Sequence, residues 1–90
     1  MQVWTWNAHG AGTFDVSFPF GATVVNRHSR VVTSVCEVAA PPGGPLDFPF
    51  IGPASIQTLN VAPMDDGAVH LRFAVNWNSS LNFRVTFFIS

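Results

Sequence analysis

The last third of the chain contains two runs in which apolar and polar residues alternate almost without error. The apolar positions are Val69, Leu71, Phe73, Val75 and Trp77 in the first run, and Leu81, Phe83, Val85, Phe87 and Ile89 in the second. Successive side chains of a β-strand point to opposite faces, so each run predicts a strand with one buried face. The other face carries His70, Arg72 and Arg84, and it must meet water, a partner or a ligand.

The two runs predict an antiparallel hairpin whose register follows from parity. Residues directly opposite each other in an antiparallel pair share a face, and all the apolar positions are odd-numbered. A three-residue loop of Asn78, Ser79 and Ser80 pairs Trp77 with Leu81 and satisfies this condition. A five-residue loop also satisfies it. In either register the polar faces of the two strands merge into one.

The rest of the chain also indicates strands, because short runs rich in Val, Thr, Phe and Trp alternate with turns containing Gly and Pro. The further predicted strands are residues 2–6, 14–20, 30–38 and 54–61. Residues 7–12 are interpreted as a loop, and residues 39–53 as an irregular segment that is apolar enough to fold back on a sheet. The pattern predicts one all-β domain over residues 1–90, an antiparallel β-sandwich of six or seven strands.

The composition predicts that the chain forms a homo-oligomer. Hydrophobic residues make up 48% of the sequence and charged residues 10%, whereas an average soluble domain is about 25% charged. So small a domain buries only about 60–65% of its extended surface. We therefore expect apolar strand faces to be buried between subunits.

Charge and hydropathy argue against two classes of partner. The chain has four arginines, no lysine and a net charge of -1, so it offers no basic stripe to a nucleic acid. No apolar run approaches the roughly 20 residues of a transmembrane helix, and no signal-peptide pattern is visible. We expect neither nucleic-acid binding nor membrane insertion.

Residues with catalytic or metal-binding chemistry are few and scattered. The single Cys36 is interpreted as a small core residue, and the three histidines lie in separate elements without metal-ligand spacing. Asp65 and Asp66 precede Gly67, which turn chemistry explains, with calcium binding as the alternative. With no Gly-x-Ser-x-Gly motif and no paired carboxylates, the sequence predicts no enzyme, no metal and no cofactor.

The order of several short motifs resembles the H-type lectin domain over roughly residues 14–90. In chain order these motifs are Val16-Ser17-Phe18, Arg30-Val31-Val32-Thr33-Ser34-Val35, Leu59-Asn60-Val61-Ala62-Pro63, the strand that leads from Gly67 to Trp77, and Phe88-Ile89. The resemblance implies a six-stranded antiparallel sandwich that assembles as a trimer or hexamer, binds glycans and acts outside the cell.

The resemblance carries over only part of the family's sugar site. Trp77 matches the family's Trp at the end of the penultimate strand, but the following His is Asn78 here. The family's Arg falls near Pro53, and its acidic loop residues have no match in residues 7–12. The identity of the sugar is therefore not implied.

A candidate glycan site follows from these residues. A sugar ring needs a flat aromatic surface and short polar side chains for its hydroxyl groups. The candidate ligand-binding residues are Trp77, Asn78, Ser79, Asn76 and His9. The alternative is a core Trp that caps the sandwich beside an ordinary polar turn.

Two other groups of residues have open interpretations. Trp4 and Trp6 share a face of the first strand and would form a second platform or pack against a neighbouring subunit. On the hairpin's polar face, His70, Arg72 and Arg84 would line an inter-subunit channel, bind a sugar carboxylate, form ion pairs with Asp15 and Glu37, or be solvated.

The sequence thus predicts a carbohydrate-binding, lectin-like module that acts as a multivalent oligomer without catalysis. The alternative is a structural or oligomerisation module of a larger assembly such as a fibre or capsid, which low charge and many Phe residues suit equally well.

Overall fold

The computed structural model describes all 90 residues and contains seven strands and no helix. The strands are β1 (Gln2–Gly10), β2 (Gly12–Pro19), β3 (Val31–Ala39), β4 (Phe48–Pro49), β5 (Ser55–Pro63), β6 (Ala68–Asn76) and β7 (Leu81–Ile89). They form a four-stranded sheet of order β1-β7-β3-β4 and a three-stranded sheet of order β2-β6-β5. All strand pairs are antiparallel, which confirms the predicted all-β antiparallel sandwich. The chain forms no helix that could span a membrane.

The core lies between the two sheets and is built from the odd-numbered positions of β6 and β7. The residues of these two strands that are at most 3% exposed are Val69, Leu71, Phe73, Val75, Phe83, Val85, Phe87 and Ile89. The rings of Phe73 and Phe83 meet edge to face, with centroids 5.1 Å apart, across the interface between the sheets. Since burial of one such side chain stabilises a fold by about 1.5–3 kcal/mol, the predicted buried faces are the main source of stability.

The predicted hairpin between these two strands is wrong. β6 lies between β2 and β5, whereas β7 lies between β1 and β3 in the facing sheet. The alternation shows which face of a strand is buried, but it does not show which strand lies next to it. Two strands in facing sheets can both point their odd-numbered side chains into the core between the sheets. Consequently Trp77 does not pair with Leu81, and Arg72 and Arg84 lie on opposite outer faces of the sandwich.

The predicted loop over residues 7–12 is also wrong, because strand structure continues through it. Gly10 pairs with Leu81 in the four-stranded sheet, and Gly12 pairs with Val75 in the three-stranded sheet. The chain passes from one sheet to the other at Ala11, and Gly12 has a φ of 70°, a conformation that is cheap for glycine. The two glycines mark a bend between strands, where the sequence favoured an open loop.

The segment between β3 and β5 folds back as expected, and it covers part of one outer face. Its residues Phe48 and Pro49 form β4. The side-chain amide of Asn7 donates a hydrogen bond from Nδ2 to the Leu46 carbonyl at 3.4 Å, and Arg84 Nη2 donates to the Asp47 carbonyl at 3.2 Å. These contacts hold the segment over the outer face of the four-stranded sheet.

Candidate functional site

The predicted site lies at the end of the sandwich where the chain crosses between the sheets twice. One crossing is Ala11, and the other is formed by residues 77–80, between β6 and β7. The Trp77 amide donates a hydrogen bond to the Val75 carbonyl at 3.0 Å, which turns the chain out of β6. The pairs Gly10–Leu81 and Gly12–Val75 bring the two crossings side by side. We call residues 10–12 and 76–81 the crossing end.

Trp77 is not a core residue at this end of the molecule. It is 42% exposed, and the residues that follow it, Asn78, Ser79 and Ser80, are all exposed. The sandwich is filled instead by the phenylalanines of β6 and β7. An exposed indole is thus followed directly by short amide and hydroxyl side chains.

Asn76 lies beside a shallow depression on the outer face of the three-stranded sheet. This depression has a volume of about 440 Å³, and its lining residues are Gly12, Thr13, Ser55, Gln57, Ala74, Val75 and Asn76. The small side chain of Ala74 pairs across the sheet with Thr13 and Gln57. The depression lies next to the crossing end, because Asn76 is the last residue of β6 and Gly12 is the first residue of β2.

His9 lies on the other side of the sandwich from Asn76. It pairs with Asn82 across β1 and β7, and its Nδ1 is 2.9 Å from Asn82 Oδ1, within hydrogen-bond distance. Packed sheets are about 10 Å apart. The five predicted residues are therefore divided: Trp77, Asn78 and Ser79 lie in the connection, Asn76 on one outer face and His9 on the other.

A second depression, which the sequence did not reveal, lies farther along the same outer face as Asn76. Its volume is about 390 Å³, and its polar lining residues are Asp15, Ser17, Asn60, His70 and Arg72. These residues come from three strands that only the pairing brings together. One indication of this depression was present in the sequence, namely the possible ion pair between Asp15 and an arginine of the predicted hairpin.

The Asp15–Arg72 ion pair organises this second depression. Arg72 donates from Nε to Asp15 Oδ1 at 2.7 Å and from Nη2 to Oδ2 at 3.1 Å, a bidentate geometry that fixes both side chains. Hydrogen bonds from Arg72, aided by its charge and that of His70, hold the pKa of Asp15 below its usual 3.8. The hydrogen bond and charge of Asp15 raise the pKa of Arg72.

Arg84, which the predicted hairpin placed on the same face as Arg72, has a different environment. Arg84 lies on the opposite outer face and pairs with Asp47, not with Asp15 or Glu37. A channel or carboxylate site built from both Arg72 and Arg84 is therefore wrong, because the two guanidinium groups face away from each other across the sandwich.

The remaining sequence candidates have structural roles. Trp6 stacks on Phe18 and Phe20 with centroids 5.2 and 5.0 Å apart, so it closes the side of its own sandwich and offers no platform. Trp4 meets Phe20 edge to face and is 39% exposed.

The two turn aspartates bind backbone amides. Asp65 Oδ1 accepts a hydrogen bond from the Arg27 amide at 2.9 Å, and Asp66 Oδ1 accepts one from the Ala68 amide at 3.0 Å. No group of three or more His, Cys, Asp and Glu side chains is arranged to hold a metal ion. Asp66 thus holds its own turn, whereas Asp65 connects that turn to the loop at Arg27.

Comparisons with models of protein families, with curated protein sequences and with solved structures found no match to this chain. The resemblance to the H-type lectin domain therefore depends on the motifs of the chain itself.

Proposed function

We propose that this chain is a carbohydrate-binding module that acts as a multivalent homo-oligomer and performs no catalysis. The observation that carries the proposal is the exposed indole of Trp77, followed directly by Asn78 and Ser79 and preceded by Asn76 at the depression. An indole face packs against the C–H surface of a sugar, while amide and hydroxyl groups bind its hydroxyls.

The charge distribution favours a neutral sugar at the crossing end. No Asp, Glu, Lys or Arg occurs in residues 1–14 or 74–83, which include both crossings. Uncharged amides and hydroxyls match sugar hydroxyls, which both donate and accept hydrogen bonds. An acidic sugar would find no cation within this end of the molecule.

Multivalency would come from a row of exposed apolar side chains on the outer face of the four-stranded sheet. Phe88 of β7 pairs with Val3 of β1 on one side and with Val32 of β3 on the other. We call Val3, Phe88 and Val32 the apolar row. A neighbouring copy covering this row in a trimer or hexamer would place several weak sugar sites on one assembly and raise the avidity.

The experiment that tests the proposal is an array of neutral glycans probed with wild-type protein and with Trp77→Ala. We expect the wild type to bind a subset of glycans and Trp77→Ala to lose that binding while keeping its oligomeric mass. Trp4→Ala is the matched control, because Trp4 has similar exposure but lies away from the crossing end. A blank array for the wild type would overturn the proposal.

A second candidate function, a structural module of a larger assembly, is favoured by the free edge of β1. This strand has nine residues and contains no Pro and no Asp, Glu, Lys or Arg, which are the usual devices that block strand addition at a sheet edge. The array separates the two candidates, since a structural module binds no glycan and Trp77→Ala would then weaken assembly or folding.

A further inference from the structure

The outer face of the three-stranded sheet carries both depressions, and they lie in line along β6. The depression at Ala74 and Asn76 adjoins the crossing end, and the depression at His70 and Arg72 follows it along the strand. At about 3.4 Å per residue, Asn76 and His70 are roughly 20 Å apart. An extended ligand that leaves the crossing end at Asn76 and follows β6 would meet both depressions in turn, along a path that we call the track.

Between Asn76 and His70 the residues that pair across this face are polar or alanine, and we call it the polar face. Its cross-strand rows are Asn76 with Ser55, Thr13 with Ala74 and Gln57, Asp15 with Arg72 and Asn60, and Ser17 with His70 and Ala62. The two alanines leave the track open, and the charges of Asp15 and Arg72 offset each other. The opposite outer face differs, because it is partly covered by residues 46–49 and carries the apolar row.

Most hydrogen-bonding groups of the polar face have no protein partner. Asn60, Gln57 and Ser17 are exposed and make no side-chain hydrogen bond within the chain, whereas Asp15 and Arg72 bind each other. Exposed groups of this kind bind water in solution, and ligand hydroxyls replace such water at little enthalpic cost. The carboxylate of Asp15 keeps lone pairs for a hydroxyl donor even while it binds Arg72.

We infer that the polar face binds an extended, neutral oligosaccharide that runs along β6 from Trp77 to His70. The inference rests on the proposed function and deepens it, since it assigns a chain of sugars instead of a terminal one. A peptide is a poorer fit, because extended peptides add to a sheet edge and this face has no apolar pocket for side chains. The net charge of -1 argues against a nucleic acid.

The test titrates the full-length protein with cello-, malto- and N-acetylchito-oligosaccharides, each from monomer to hexamer, and follows amide and indole shifts by NMR. For the series that binds, we expect the hexamer to bind about tenfold more tightly than the monomer or better. Monomer should shift only the crossing end, and hexamer should also shift Asn60 and His70.

Two variants that fill the track complete the test. Ala74→Phe and Ala62→Phe add bulk on an outer face, where the core is not disturbed, and each should reduce hexamer affinity to that of the monomer. Ser34→Phe is the control, because Ser34 is exposed on the opposite outer face. Equal affinity for monomer and hexamer would overturn the extended track and leave the Trp77 site standing. No shift with any series at any length would overturn both.

Discussion

The three tryptophans of the chain have different environments, and these determine what each contributes. Trp6 is half-buried and stacks on two phenylalanines, so its indole is part of the fold. Trp4 and Trp77 are 39% and 42% exposed, but only Trp77 is flanked on both sides by amide side chains. Exposure combined with polar neighbours is what makes Trp77 the candidate for ligand contact.

Alanine substitution of two tryptophans should separate folding from binding. Because Trp6 packs against Phe18, Phe20 and Phe87, Trp6→Ala should lower the free energy of unfolding by about 3 kcal/mol. Trp77→Ala should lower it by about 1 kcal/mol or less. Urea denaturation followed by circular dichroism measures both, and equal losses would contradict the assigned roles.

The Asp15–Arg72 ion pair should make stability depend on pH in acid. The folded-state pKa of Asp15 lies below 3.8, its ordinary value, so the pair stabilises the fold above that pH. The contribution is lost as the pH falls through the folded pKa. The melting temperature of the wild type should therefore exceed that of Asp15→Asn at neutral pH, with the two converging as the pH falls below 3.8 and through the folded-state pKa.

The matched variant for this prediction is Arg72→Gln, which removes the partner and leaves the carboxylate. Its melting temperature should also be below that of the wild type at neutral pH, and NMR titration should show an Asp15 pKa closer to 3.8. A difference between wild type and Asp15→Asn that stays constant from neutral to acid pH would contradict the assignment.

A buried glycine, Gly67, fixes the turn between β5 and β6 against the chain that follows β2. The Gly67 carbonyl accepts hydrogen bonds from the amides of Phe20 and Gly21 at 3.0 and 3.1 Å. Gly67 has a φ of 90°, and a Cβ atom there would overlap the backbone of Gly21 and Ala22. The turn and the chain after β2 therefore pack at backbone distance, which only glycine allows.

Substitution of two glycines should distinguish this close packing from backbone strain alone. Gly67→Ala should cost about 3 kcal/mol or more, since left-handed strain of about 1–2 kcal/mol adds to the overlap. Gly12→Ala should cost only the strain, because Gly12 has a φ of 70° and no atom within 4 Å of the added Cβ. Chemical denaturation compares them, and equal costs would contradict the packing argument.

The strands also show which parts of the fold a sequence pattern can predict. The buried residues of β6 and β7 are those the alternation predicts, because period-two burial is a property of each strand alone. The pairing of β6 with β2 and β5 follows from contacts between distant segments, so parity could not distinguish a hairpin from facing sheets. The same limit applies to the site, where Trp77 and Asn76 are local but the partners Thr13, Ser55 and Gln57 come from other strands.

As a whole, the molecule exposes nearly as many large apolar residues as it buries. Twelve hydrophobic residues form the buried set, while eleven large hydrophobic residues are exposed. In the apolar row, Val3 is 57% exposed and Val32 is 66% exposed, so the rest of the chain leaves both side chains largely uncovered. Contiguous apolar surface of this kind is typical of interfaces, which is why we propose that a second copy covers it.

Light scattering tests the proposed assembly. The wild type at micromolar concentration should have a mass that is a multiple of 9.7 kDa, and Val32→Glu should reduce it to the monomer because it buries an unpaired charge in the interface. Leu59→Glu should leave the mass unchanged, since Leu59 is 48% exposed but lies at the irregularity of β5 in the other sheet. A monomeric wild type would overturn the proposal.

Local alternation of apolar and polar side chains predicts the strands of this protein, their buried faces and its all-β class. The alternation can be recognised in the sequence because the pleat of a strand repeats every two residues, whichever strand lies next to it. The order of strands, the double crossing beside Trp77 and the polar face depend on pairing between segments far apart in the chain. Asp15 and Arg72 are 57 positions apart, and they form one ion pair because the register of β2 and β6 places them directly opposite each other on the outer face.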